Sequence, residues 1–103
     1  MELRAGSRLK SAVCETEVIV VRPPSTAVEV RCGGQPMYLA GEDGPVGAEL
    51  DPAFAEGTLL GKRYADAEVG IELLCTKAGK GTLSLGSGGP LPLKDAKPLP
   101  SSD

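Results

Sequence analysis

The chain contains no histidine. That absence removes Ser-His-Asp and Cys-His nucleophilic systems, imidazole general acid–base catalysis and every histidine-bearing metal site. Catalysis, if any, would fall to cysteine, lysine, tyrosine or carboxylates. Tryptophan is absent too, and the aromatic residues are Phe54, Tyr38 and Tyr64. Large rings usually dominate core and interface energetics. The core must therefore be assembled from Val, Leu, Ile and Ala, and a partner subunit is one way to complete its burial. The longest strongly apolar run, Val18-Ile19-Val20-Val21, is four residues, against the roughly 20 that span a bilayer. Arg4, Arg8 and Lys10 are not followed by an apolar segment, so no secretory signal is read. Three cysteines is an odd number, and without such a signal free thiols in the cytoplasm are expected.

A basic face is missing as well. Residues 11–60 carry eight acids against Arg22 and Arg31, whereas residues 61–103 are nearly balanced and the whole chain has a net charge of −3. Nucleic-acid binding needs concentrated cations to displace counterions from phosphate, and usually aromatics on which bases stack. Neither is present, so no nucleic-acid partner and no membrane partner is expected.

At 103 residues the chain is of single-domain size. Residues 1–94 read as one β-rich domain, and residues 95–103, with Pro98 and Pro100, as an extended tail. Leu9 to Cys14 reads as an edge strand. Glu17 to Arg22 is the clearest strand, β-branched and stopped by Pro23-Pro24, and its continuous apolar character suggests burial on both faces. Ala27 to Cys32 alternates, with Val28, Val30 and Cys32 on one face. The short connector between them suggests that they pair as a hairpin. Residues 35–60, broken by Pro36, Gly41, Gly44, Pro45, Gly47, Pro52 and Gly57, read as a long acidic loop. One helical turn is placed inside it, with Asp51 as N-cap and Pro52 in first position. Further strands are read near Lys62–Tyr64, at Val69–Thr76, at Thr82–Leu85 and, as a short edge, at Leu91–Lys94. The expected fold is all-β, a small antiparallel sandwich or barrel of about six or seven short strands with a long Pro/Gly-rich central loop.

Few constellations carry chemistry. Cys14, Cys32 and Cys75 could serve as thiolate metal ligands, with Gly33-Gly34 leaving amides free for a metal-bound sulfur. Their spacings lack a C-x-x-C pair, so zinc or an iron–sulfur cluster would need a further ligand from a carboxylate or a second subunit. The plainer reading makes Cys32 and Cys75 small hydrophobes on apolar strand faces. Cys14, beside Lys10, is the candidate nucleophile, although Glu15 and Glu17 oppose a lowered thiol pKa. Lys62, Arg63 and Tyr64 form a candidate ligand-binding group, with Arg63 able to grip a carboxylate or phosphate through two nitrogens. Gly79-Lys80-Gly81-Thr82 fails as a phosphate loop because Gly81 separates Lys80 from Thr82. Glu42, Asp43, Glu49 and Asp51 lack the alternating spacing of a calcium loop.

The segments Cys14 to Arg22, Cys32-Gly33-Gly34-Gln35-Pro36-Met37, Gly61-Lys62-Arg63-Tyr64 and Leu73-Leu74-Cys75-Thr76-Lys77 resemble small uncharacterised proteins of high-GC bacteria. The resemblance implies bacterial origin and no particular activity. The sequence as a whole points to a non-catalytic binding or accessory protein without a cofactor, which docks on a larger enzyme or self-associates as a homo-oligomer. A thiolate metal protein is the alternative, and an enzyme with a cysteine nucleophile or a Lys–carboxylate pair stands third.

Overall fold

The computed structural model describes residues 3–44, 47–86 and 88–93. The expected C-terminal tail, residues 95–103, lies outside them.

The strongest β pattern forms the centre of the fold. β1 (Arg8–Lys10) and β2 (Glu17–Arg22) make a hairpin, and β2 then pairs antiparallel with β7 (Ile71–Lys77). Val18 faces Cys75 and Val20 faces Leu73 across this pair, and all four are buried. Between them Ile19 is half-buried, and Val21 is exposed where the register shifts. One face of β2 is therefore covered and the other open. Its uninterrupted apolar sequence had suggested burial on both faces, but β-branched residues also suit the exposed side of a pleated sheet. β6 (Arg63–Asp66) flanks β7, while β5 (Tyr38–Leu39) flanks β1, giving a five-stranded sheet in the order β5-β1-β2-β7-β6. β1 is thus interior rather than an edge, because two residues of the central loop pair with it.

The remaining strands form a second sheet, β4-β3-β8, from β3 (Val30–Cys32), β4 (Gln35–Pro36) and β8 (Leu83–Leu85). The expected hairpin between the strands ending at Arg22 and at Cys32 does not form. Pro23 and Pro24 have no N–H to continue a ladder, and the chain crosses from one sheet to the other. The tight hairpin lies instead at β3–β4, where Gly33 and Gly34 both take positive φ, +66° and +82°, as the two central residues of a primed turn require.

The two sheets pool their apolar faces into one cluster. Leu9, Val18, Val20, Ile71 and Leu73 come from the first sheet, Val30, Cys32 and Leu83 from the second, and Met37 and Leu91 from connections. The protein is all-β and antiparallel, in an open two-sheet sandwich arrangement rather than a closed barrel. The expected helical turn appears as a 3-10 turn over Pro52–Phe54, with the Asp51 carboxylate accepting from the Ala53 amide at 2.9 Å. Residues 90–93 make only isolated bridges, Pro90 to Ser84 and Leu93 to Tyr64, in place of the expected edge strand, whose last residue, Lys94, is not described.

Candidate functional site

The β1–β2 turn, residues 11–16, is closed by the Ser11 amide donating to the Thr16 carbonyl at 2.9 Å. Ser11 is nearly buried, and its Oγ accepts from the Val13 and Cys14 amides, each at 3.2 Å. Such side-chain-to-backbone bonds fix a serine turn, and here they hold the Cys14 thiol at its tip. The neutral Cys14 thiol can donate to Ser11 Oγ, 3.2 Å away, and once the thiol ionises the Ser11 hydroxyl can turn its proton to the sulfur.

A second hydroxyl stands on the other side. Thr16 Oγ1 lies 3.3 Å from Cys14 Sγ and 3.1 Å from Thr58 Oγ1, and Thr58 donates to the Gly81 carbonyl at 2.6 Å. Thr16 and Thr58 are both buried. In the neutral thiol the protons run in one direction, from Cys14 to Thr16 to Thr58 to Gly81. On ionisation the Thr16 hydroxyl can turn and donate to the sulfur. The Gly81 amide donates to Cys14 Sγ as well, at 3.3 Å.

The β7–β8 connection brings in Gly79 and Gly81, and both positions exclude a side chain. A Cβ on Gly79 would collide with Thr16 and stand 3.1 Å from Cys14 Sγ. One on Gly81 would stand 2.8 Å from both Cys32 Sγ and the Gly33 amide nitrogen. Cys32 ends β3, buried, and its sulfur lies 3.8 Å from that of Cys14. Two thiols 18 residues apart in sequence, and reaching the site from different sheets, are thus in van der Waals contact.

Their environments set them apart. Burial raises the Cys14 pKa, but hydrogen bonds from the Ser11 and Thr16 side chains and from the Thr16 and Gly81 amides outweigh it and bring the thiol from 9.0 down to about 7. Burial lifts Cys32 to about 11, helped by the adjacent Cys14 charge. Burial raises Cys75 also, and its thiol donates to the Lys77 carbonyl at 3.3 Å. Glu15 and Glu17 had argued against an acidic Cys14. Four short-range hydrogen bonds to the charged form prevail over the neighbouring carboxylates, of which Glu15 is exposed and Glu17 half-buried.

Cys14 opens on a cleft of about 520 Å³ lined by Val13, Cys14, Glu15, Ala78, Gly79 and Lys80. The three thiols proposed as metal ligands are thus divided: Cys14 and Cys32 meet, and Cys75 is engaged with its own strand. A separation of 3.8 Å would also suit two thiolates on a tetrahedral ion with bonds of about 2.3 Å. Among the described residues, however, no three Cys, Asp or Glu side chains gather to hold one.

The other candidate group is dispersed by strand alternation. Tyr64 is buried and its hydroxyl accepts from the Leu59 amide at 2.9 Å. Arg63 points outward and pairs with Glu72 at 3.2 Å, and Lys62 is exposed just before β6. Among the described residues no helix is long and apolar enough to cross a membrane. What sequence reasoning missed was the hydroxyl cage. The available signal was Ser11 and Thr16 flanking Cys14, although the contributions of Thr58 and Gly81 exist only in the folded chain. Comparison with protein-family models, with curated proteins and with solved structures gives no match to this chain.

Proposed function

We propose that the protein is a thiol–disulfide redox protein in which Cys14 attacks and Cys32 resolves. The observation that carries this reading is the contact of the two sulfurs at 3.8 Å, one at the mouth of a cleft and one behind it. A thiol that titrates near ambient pH is the most effective attacker, since it balances thiolate population against nucleophilicity.

The Cys14 thiolate displaces one half of a small disulfide, RS–SR. The Cys14–SR bond forms, the S–S bond breaks, and RS⁻ leaves and takes a proton from water. Consuming the Cys14 charge removes the electrostatic contribution that, after burial, raises Cys32, so the resolving thiol ionises more readily at the moment it is needed. Its sulfur attacks Cys14 Sγ and expels the second RS⁻. The protein dithiol is oxidised by two electrons and RS–SR is reduced to two thiols. The sulfurs must close by about 1.8 Å to reach a disulfide length of roughly 2.05 Å.

Equilibration in buffers of graded glutathione redox state, with acid quenching and alkylation, tests this. The expected result is one two-electron transition that persists in Cys75→Ser and is replaced in Cys32→Ser by a mixed disulfide stopped on Cys14. Zinc or iron bound stoichiometrically to the purified protein and shielding both thiols would overturn the reading in favour of a metal site.

A further inference from the structure

The cleft in front of Cys14 narrows the choice of oxidant, an inference that rests on the thiol–disulfide reading above. A hydroperoxide needs only an accessible sulfur. The opening here is about 520 Å³, within the range of clefts that hold small organic ligands. Its walls are selective. Gly79 presents backbone beside the sulfur, and a Cβ at that position would stand 3.1 Å from Cys14 Sγ, so the lack of a side chain leaves the approach to the thiol open. Val13 and Ala78 provide apolar surface, and Lys80 and Glu15, both exposed, place one charge of each sign at the rim.

We infer that the oxidant taken by Cys14 is a carboxylate-bearing low-molecular-weight disulfide of amino-acid or peptide type, seated with a carboxylate toward Lys80 and its ammonium toward Glu15. The pairing of charges matches a zwitterion and offers a neutral or purely cationic disulfide no comparable arrangement. The exchange is the one written above, with the two halves of the ligand leaving as free thiols.

The test compares the rates at which the reduced full-length protein forms the Cys14–Cys32 disulfide with glutathione disulfide and with bis(2-hydroxyethyl) disulfide, at pH 7 and low ionic strength. The ratio of the two rates is the readout, because it cancels any change in the reactivity of the thiol itself. Lys80→Gln is expected to lower the ratio about fivefold, the scale of one exposed ion contact, and added salt to lower it in the wild type. Arg22→Gln, which removes the same charge at the opposite end of β2, serves as the control and leaves the ratio at its wild-type value. A ratio unmoved by Lys80→Gln, or moved equally by Arg22→Gln, overturns the inference while the thiol–disulfide reading stands. Disulfide formation with hydrogen peroxide but with neither organic disulfide overturns the inference and the exchange reading together, and leaves a peroxide-oxidised pair instead. Failure to form the Cys14–Cys32 bond with any of the three overturns both.

Discussion

Replacing Thr16 by valine tests the hydroxyl cage with little change of shape. Thr16 is fully buried, and its Oγ1 lies 3.3 Å from Cys14 Sγ and 3.1 Å from Thr58 Oγ1. Valine fills the same space without the hydroxyl, and Thr58 keeps its bond to the Gly81 carbonyl. Loss of the remaining hydrogen bonds costs about 1 kcal/mol, so the variant folds. The larger effect falls on the thiol. Four hydrogen bonds together overcome burial and still bring Cys14 from 9.0 to about 7, so each supplies on average at least about half a pH unit. Removing one moves the titration midpoint to between about 7.5 and 8, and the thiolate fraction at pH 7 drops from about half to between about a tenth and a quarter. The assay is the rate of iodoacetamide modification of Cys14 against pH, read by peptide mapping so that Cys32 and Cys75 do not contribute. A wild-type midpoint near 9, or a midpoint unchanged in Thr16→Val, would refute the cage as the cause of the reactive thiol.

Four other outcomes follow from the same structure. Because the Cys14 pKa is depressed in the fold, its stabilising contribution is complete above the unfolded value of 9.0 and is lost as pH falls through about 7; the stability difference between wild type and Cys14→Ala, measured by urea unfolding, should therefore grow in favour of wild type from pH 7 to 9. Cys32, raised to about 11, acts in the opposite sense, and wild-type stability should decline above pH 9 as the unfolded chain ionises first. Gly81→Ala places a methyl 2.8 Å from the Cys32 sulfur and the Gly33 amide and should cost about 1–3 kcal/mol in urea unfolding, with slower disulfide formation. Leu73→Ala, at a fully buried position between the sheets, should cost about 2–5 kcal/mol and leave the thiol rates per folded molecule intact.

The β class and the central strands were legible because their signals are local. Ile71, Leu73 and Cys75 declare their buried face by period-2 alternation, whereas the unbroken run Val18 to Val21 announced a strand but not that only one of its faces is covered. Partnership between strands is not local. The pairing of Leu9 with Leu39 joins a weak strand to two residues of a proline- and glycine-rich loop, and no periodicity marks so short a pair. Gly33-Gly34 follows Cys32 in the sequence without announcing the primed turn of a hairpin, since two glycines suit a simple strand end equally well. At the site, Cys14 was identifiable as the least buried thiol, and Glu15 and Glu17 suggested that it was inert. What makes it acidic comes from Gly81, 67 positions away, and from hydroxyls whose orientation is set by turn geometry. Lys62, Arg63 and Tyr64 formed a group in sequence, but adjacent strand residues point to opposite faces, which sends Tyr64 inward and Arg63 outward.

The most direct measurement is the mass of the oxidised protein with its linkage mapped. The account predicts a loss of about 2 Da, the two hydrogens given up when a disulfide forms, on brief exposure to glutathione disulfide, with Cys14 and Cys32 in one cross-linked peptide pair and Cys75 still free to alkylate. A chain that stays fully reduced, or that joins through Cys75 or between molecules, would contradict it.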